Sequence, residues 1–187
     1  MSELLTTLAS RYLRDREAFA RAWNHPVLLF QPDPATAAAA AADPEEVRYR
    51  LQTASGVGVP TIAGTEPVVF PVRKTRENAF PRGVTLGRTR NNDVVLEDTS
   101  VSRFHAWIAQ APDGTWQLTD AGSRNGSSLD GEALQPKKAV PLHDGAQLVV
   151  GSVRLTFLLP EGLIALLRGS GLGGGRAGSL HTSGGLA

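Results

Sequence analysis

From Val68 onward the apolar residues recur every second position, and that spacing decides what the chain can build. Val68, Phe70 and Val72 fall on one side, as do Val84 and Leu86, then Phe104, Ala106 and Ile108, then Trp116 and Leu118, then Val153, Leu155 and Phe157. A period of two places side chains on one face of a strand. Asp113-Gly114 marks a hairpin, and Asp130-Gly131 and Asp144-Gly145 mark further turns. Short strands divided by such turns predict a mainly β chain built as an antiparallel sandwich. Residues 68–158 have the length of one such domain.

The flanks differ. Residues 1–54 read as an N-terminal α-helical segment, because Leu5, Leu8, Tyr12, Phe19 and Trp23 recur at three, four or seven residues and share a face. Asp33-Pro34 and Asp43-Pro44 add two helix-start signals. Residues 55–67 carry glycines and prolines and read as a linker. In residues 159–187, Leu163 to Arg168 suggest a short helical turn. A flexible Gly-rich tail follows, with eight glycines in the last 19 residues. The tail contains Gly173-Gly-Gly-Arg-Ala-Gly178, which fits a dinucleotide-binding string. No strand leads into it and no helical pattern follows, so that reading fails.

Composition narrows the function. The chain has 187 residues, 41% hydrophobic and 20% charged, as a globular protein has. A net charge of +1 argues against a bulk nucleic-acid binder. The absence of cysteine removes disulfides, thiolate metal sites and thiol nucleophiles. The N-terminus lacks signal-peptide character, and no apolar run approaches the ~18 residues of a membrane span. These features suit a cytoplasmic setting. His25, His143 and His181 lie in unrelated segments, so no metal cluster is visible. No nucleophile–base pattern appears before Pro67, so the expectation is a non-enzyme with no cofactor.

Three clusters lie on expected turns of the β region: Gly87-Arg88-Thr89, Ser102-Arg103 with His105, and Ser123-Arg124-Asn125-Gly126-Ser127 after Asp120-Ala121-Gly122. They supply guanidinium groups, hydroxyls and an amide, with no carboxylate pair. Each has a plainer reading. Arg88 can end a strand in solvent, Ser102 can cap a turn, Arg103 can pair with Glu97 or Asp98, and Asn125-Gly126 is a good turn pair alone.

Taken together, in this order and spacing, the clusters resemble the forkhead-associated (FHA) domain family. The resemblance is carried by Gly87-Arg88, by NDVVLEDTSVSRFHA from Asn92 to Ala106, and by DAGSRNGSSLDG from Asp120 to Gly131. It covers about Val68 to Leu158. Ser127 and Ser128 stand where many members have Thr and then an aromatic or apolar residue. The resemblance implies an FHA-like sandwich of about eleven strands whose end loops bind phosphothreonine peptides. It implies that Arg88 and Ser102 hold the phosphate, that Arg103 lies near it, and that Asn125 bonds the peptide main chain. Gly87, His105 and Gly126 are then structural, with His105 bracing the loops.

The chemistry suits that assignment. Phosphothreonine carries about −1.5 to −2 charges and three strong acceptors, which a guanidinium fork matches with charge-assisted bonds. Asparagine offers both a donor and an acceptor to an extended backbone. Arg124 would favour acidic residues near the phosphothreonine. The expected function is therefore an adaptor that recruits partners phosphorylated by a Ser/Thr protein kinase. The alternative is a phosphate-independent scaffold or secretion-apparatus subunit that works through its N-terminal helices. The apolar helical face reads equally as packing on the sandwich, a partner site or a self-association surface. Thr6, Thr7, Thr36 and Thr65 are candidate phosphorylation sites for self-recognition.

Overall fold

Twelve strands and three helices are formed by the residues that the computed structural model describes, which are 2–32, 66–76 and 78–169. In chain order they are β1 (Glu3–Leu4), α1 (Leu5–Arg14), α2 (Arg16–Ala22), β2 (Val27–Phe30), β3 (Val68–Pro71), β4 (Val84–Gly87), β5 (Val94–Val95), β6 (Ala106–Gln110), β7 (Trp116–Asp120), β8 (Ser127–Leu129), β9 (Glu132–Ala133), β10 (Ala139–Pro141), β11 (Gln147–Val150), β12 (Val153–Leu158) and α3 (Pro160–Gly169). One sheet has the order β1-β3-β2-β12-β11-β8-β9 and the other β10-β7-β6-β4-β5. Every pairing is antiparallel except β4 with β5, which is parallel. The mainly β sandwich expected from the two-residue period is present.

Alternation works as it should where one face meets solvent. Ala106, Ile108 and Leu118 are fully buried between the sheets, as are Leu148, Leu155 and Phe157 from the facing sheet. Asp130 and Gly131 both have positive φ, at 51° and 88°, as a tight two-residue hairpin between β8 and β9 requires.

The sandwich does not begin at Val68. Strand β2 lies inside the seven-stranded sheet, pairing Leu28 with Phe70 of β3 and with Phe157 of β12. β1 joins the same sheet by pairing Glu3 with Val69. The expected division into a helical segment at 1–54 and a sandwich at 68–158 is corrected accordingly: residues 3–4 and 27–30 are part of the sheet. The physical reason is that this sheet is covered on both faces at β2 and β3. Leu28 points into the main core, whereas Val27 and Leu29 point the other way, into a second apolar cluster. Double burial turns a strand into a continuous apolar run, Val27-Leu-Leu-Phe30, with no alternation to betray it.

The second cluster explains the N-terminal helices. Leu8, Tyr12, Phe19 and Trp23 are buried against Val27, Leu29, Val69 and the α3 residues Leu163 and Leu167. Tyr12 meets Phe19 edge-on at 5.5 Å, and Phe19 stacks on Trp23 at 5.8 Å. The helical spacing is real but interrupted: Asp15 is extended and its carboxylate accepts the Ala18 N–H at 2.9 Å, starting a new helix. α3 is longer than the turn expected at 163–168. Pro160 opens it, in a position that suits proline, and Arg168 Nε donates to the Tyr12 hydroxyl at 3.0 Å. The apolar helical face is thus buried within the chain itself. The two further helix starts, Thr36, Thr65 and the Gly-rich tail beyond 169 lie outside the described residues.

The double burial of β2 predicts a large, position-specific cost. Leu28→Ala should lower the unfolding free energy by about 2–5 kcal/mol. Leu13→Ala, on a side chain that is 60% exposed, should change it by less than about 0.5 kcal/mol. Urea unfolding followed by tryptophan fluorescence checks both.

Candidate functional site

All three loop clusters meet at one end of the sandwich, around a cleft of about 870 Å³ whose lining includes Arg88, Ser102, Arg103, Phe104, Gly122 and Arg124. Arg88 follows the last residue of β4, and its N–H donates to the Ser102 carbonyl at 2.9 Å. The Arg124 N–H donates to Ser102 Oγ at 3.0 Å. Ser102 therefore touches both neighbouring loops. Its oxygen is used as an acceptor, which leaves its hydroxyl proton to donate outward.

His105 binds the loops from below. Its ring is completely buried. Nδ1 accepts the Ser102 N–H at 3.0 Å, so the proton sits on Nε2, which donates to the Gly126 carbonyl at 3.0 Å. Both nitrogens are committed to backbone, which rules the ring out as a metal ligand or a base in this arrangement. Burial pushes its pKa down; the Gly126 carbonyl and the Asp120 carboxylate, 3.8 Å away, push it up, and the net is below the ordinary 6.5.

Two more groups shape the loops. Gly87 has no room for a side chain: a Cβ would press on the Arg103 carbonyl and sit 2.7 Å from Asn92 Nδ2. That amide donates to the carbonyls of Thr89 and Arg103 at 2.8 and 2.7 Å. Asp120 organises the third loop, accepting from the Gly122 and Ser123 N–H groups and from the hydroxyls of Ser123 and Ser127 at 2.6–2.8 Å. Burial raises the Asp120 pKa, but these donors outweigh it and hold the group below its ordinary value.

The structure brings Arg88, Ser102, Arg103 and Arg124 to one cleft. Asn125 stands outside the lining, where its Nδ2 donates to the Ser100 carbonyl at 2.7 Å. Gly126 has φ of 71°, which its glycine supplies without strain. Arg103 does not pair with Glu97 or Asp98. Asp98 Oδ1 instead accepts the Ser100 N–H and hydroxyl at 2.7 and 2.5 Å. Among the described residues, the guanidinium groups of Arg88, Arg103 and Arg124 have no carboxylate partner within 4.0 Å. Among those residues there is also no cluster of His, Asp and Glu able to hold a metal, and no helix long and apolar enough to cross a membrane.

Asn92 and Asp120, which position the loops, were not legible as such. Asn92 gives no periodic signal; Asp120-x-Gly122 reads as a turn without revealing four donors.

Comparison with known proteins identifies the family. Residues 84–151 match the family model described as FHA domain. The chain is 32% identical over 118 residues to the ABC transporter ATP-binding/permease protein Rv1747 of Mycobacterium tuberculosis, covering 58% of this chain and only 13% of that protein. It is 34% identical over 112 residues to the oxoglutarate dehydrogenase inhibitor of Corynebacterium diphtheriae, covering 57% of this chain and 73% of that protein. Among solved structures, the N-terminal FHA domain of Saccharomyces cerevisiae Rad53p in complex with a phosphothreonine peptide aligns with TM-score 0.38 and 26% identity, over 40% of this chain and 65% of that one.

The buried neutral ring of His105 sets a pH dependence. Its folded pKa lies below its unfolded one, so the unfolded chain takes up a proton that the folded ring resists. The stabilisation is present above about pH 6.5 and is lost as pH falls through 6.5 toward the folded value. His105→Gln should be less stable at neutral pH by about 1–3 kcal/mol. It should also lose less stability than the parent between neutral and mildly acidic pH. Urea unfolding at several pH values measures both, and equal slopes for parent and variant would contradict the neutral ring.

Proposed function

The chain belongs to the FHA-domain family, and from that premise we propose that it is a phosphothreonine-peptide-binding adaptor that recruits partners modified by a Ser/Thr protein kinase. One observation carries the proposal: three guanidinium groups with no acidic partner among the described residues share a cleft with a serine hydroxyl free to donate. Like charges gathered without counter-charge repel one another. A dianionic phosphate relieves that repulsion and takes charge-assisted bonds from Arg88 and Arg103. Ser102 completes the phosphate site, and Arg124 faces whatever flanks it.

Asn125 serves the peptide main chain in this reading. Its Nδ2 is already engaged with Ser100, so Oδ1 is the atom that accepts a peptide N–H. Gly87, His105 and Gly126 hold the loops rather than touch ligand. Three positive charges against about two on the phosphate leave a surplus of about one, which favours an acidic residue beside the phosphothreonine. No step here is catalytic: the adaptor binds, and the partner's own activity changes by recruitment. Its setting is cytoplasmic, beside the kinase. Against the scaffold alternative, which uses the FHA fold and the N-terminal helices, the apolar face of the described helices is covered by the sheet and α3.

Titration of the protein with a phosphothreonine peptide library and its unphosphorylated twin tests the proposal. Phosphorylated peptides should bind, unphosphorylated ones should not, and Arg88→Ala should weaken binding about 10- to 100-fold, the worth of a charge-assisted bond. Equal affinity for both libraries, or an unaffected Arg88→Ala variant, would overturn it.

A further inference from the structure

The cleft has one wall that phosphate chemistry does not explain. Among the described residues, the exposed large apolar side chains are Leu4, Leu13 and Phe104. The two leucines belong to the N-terminal segment, whereas Phe104 is 41% exposed and lines the cleft itself, next to Arg103. Its ring is not a loose surface group. It stacks on Trp107 at 6.0 Å with the planes 3° apart, and Phe80 packs against both rings at 5.3 and 5.7 Å.

That cluster is built in advance. Phe80 comes from the segment joining β3 to β4, which Asp93 ties to the outer face of the five-stranded sheet. The Asp93 carboxylate, with no side-chain exposure, accepts from Lys74 Nζ at 2.9 Å, from the Thr75 and Thr85 N–H groups at 2.7 and 2.8 Å, and from Asn78 Nδ2 at 3.0 Å. The Phe80 N–H donates to Asn78 Oδ1 at 2.9 Å, so the same network places the ring. Trp107 is held by the β4–β6 ladder opposite Thr85. A rigid aromatic surface binds an apolar group without the entropy cost of ordering it first.

We infer that Phe104, backed by Phe80 and Trp107, is a specificity-determining wall that selects phosphothreonine peptides carrying a large apolar side chain close to the phosphothreonine. The inference rests on the phosphopeptide reading above. The spacing follows from chain geometry. Ser102 and Phe104 are two residues apart, so their Cα atoms are separated by at most about 7 Å. An extended peptide crosses that distance in about two residues. The apolar side chain therefore sits within about two positions of the phosphothreonine, and the acidic preference set by Arg124 is read separately.

The experiment uses phosphothreonine peptides in which each position within about three residues of the phosphothreonine is alanine, leucine or aspartate in turn. They are titrated into the parent, Phe104→Ser, Phe104→Leu and Arg88→Ala proteins. The parent should prefer leucine over alanine about fivefold at one position, the worth of partly burying a few methylenes. Phe104→Ser should abolish that ratio and Phe104→Leu should keep most of it. The ratio is read within each variant, so a general loss of affinity does not imitate the effect. Phosphate-dependent binding with no leucine preference at any position, or with a preference that survives Phe104→Ser, overturns the apolar wall and leaves the phosphopeptide reading standing. Failure of the parent to distinguish phosphorylated from unphosphorylated peptides overturns that reading and the wall with it.

Discussion

The arrangement of the loops around the cleft depends on the two hydrogen bonds of the buried His105 ring. Nδ1 takes the Ser102 N–H and Nε2 gives its proton to the Gly126 carbonyl. One imidazole thereby fixes the distance between two loops that are distant in sequence. No shorter polar side chain offers a donor and an acceptor on opposite sides of a rigid ring. The loop geometry also requires that ring to stay neutral, since protonating Nδ1 would set two donors against each other. Complete burial supplies that condition. The first loop is fastened to this pair by the Arg88 N–H on the Ser102 carbonyl, and by the close passage of Gly87 under the Arg103 carbonyl.

Loops so connected need a base that does not move. The seven-stranded sheet provides it where β2 and β3 are buried on both faces. Its inner face closes the sandwich core, and its outer face around Val27, Leu29 and Val69 is covered by Leu8, Tyr12, Phe19 and Trp23 together with Leu163 and Leu167. The two ends of the described chain therefore fold onto the same sheet. β2 is central to this arrangement, since it pairs on both sides and contributes side chains to both clusters. The N-terminal helices contribute stiffness to the scaffold on which the cleft is carried.

Much of this was legible in the sequence, and what was not has physical causes. One-sided strands such as Ala106–Gln110 announce themselves by alternation, and the Asp-Gly turns by their backbone demands. Arg88, Ser102, Arg103 and Arg124 could be gathered in advance because their residue types and spacing match a known pattern. Val27–Phe30 could not, because double burial erases the alternation that identifies a strand. The break at Asp15 was hidden because the capping bond costs only one residue of the helical spacing. Asn92, Asp93 and Asp120 were missed for another reason. Their work is to satisfy backbone donors or acceptors brought together by folding, and no local pattern records who those partners will be. Phe104 was assigned to the inward face of its strand. It lies before β6 begins at Ala106, outside the ladder that enforces alternation, and its ring stacks with Trp107 instead.

The acidic residues near the cleft show how a cationic site persists beside carboxylates. Asp98 and Asp120 both lie within a few residues of the arginines, and either could have neutralised one. Among the described residues neither pairs with one of these arginines, and shorter-range donors occupy both Asp120 oxygens and Asp98 Oδ1. Asp98 holds the Ser100 N–H and hydroxyl, and Asp120 holds two N–H groups and two hydroxyls. A carboxylate surrounded by fixed dipoles gains little from a mobile guanidinium at the surface, where the ion pair is worth at most about 1 kcal/mol. The same donors that shape the loops thus keep the arginines uncompensated. Loop structure and surface charge are linked in this way: the Ser123 and Ser127 hydroxyls that shape the third loop also satisfy the buried Asp120 carboxylate.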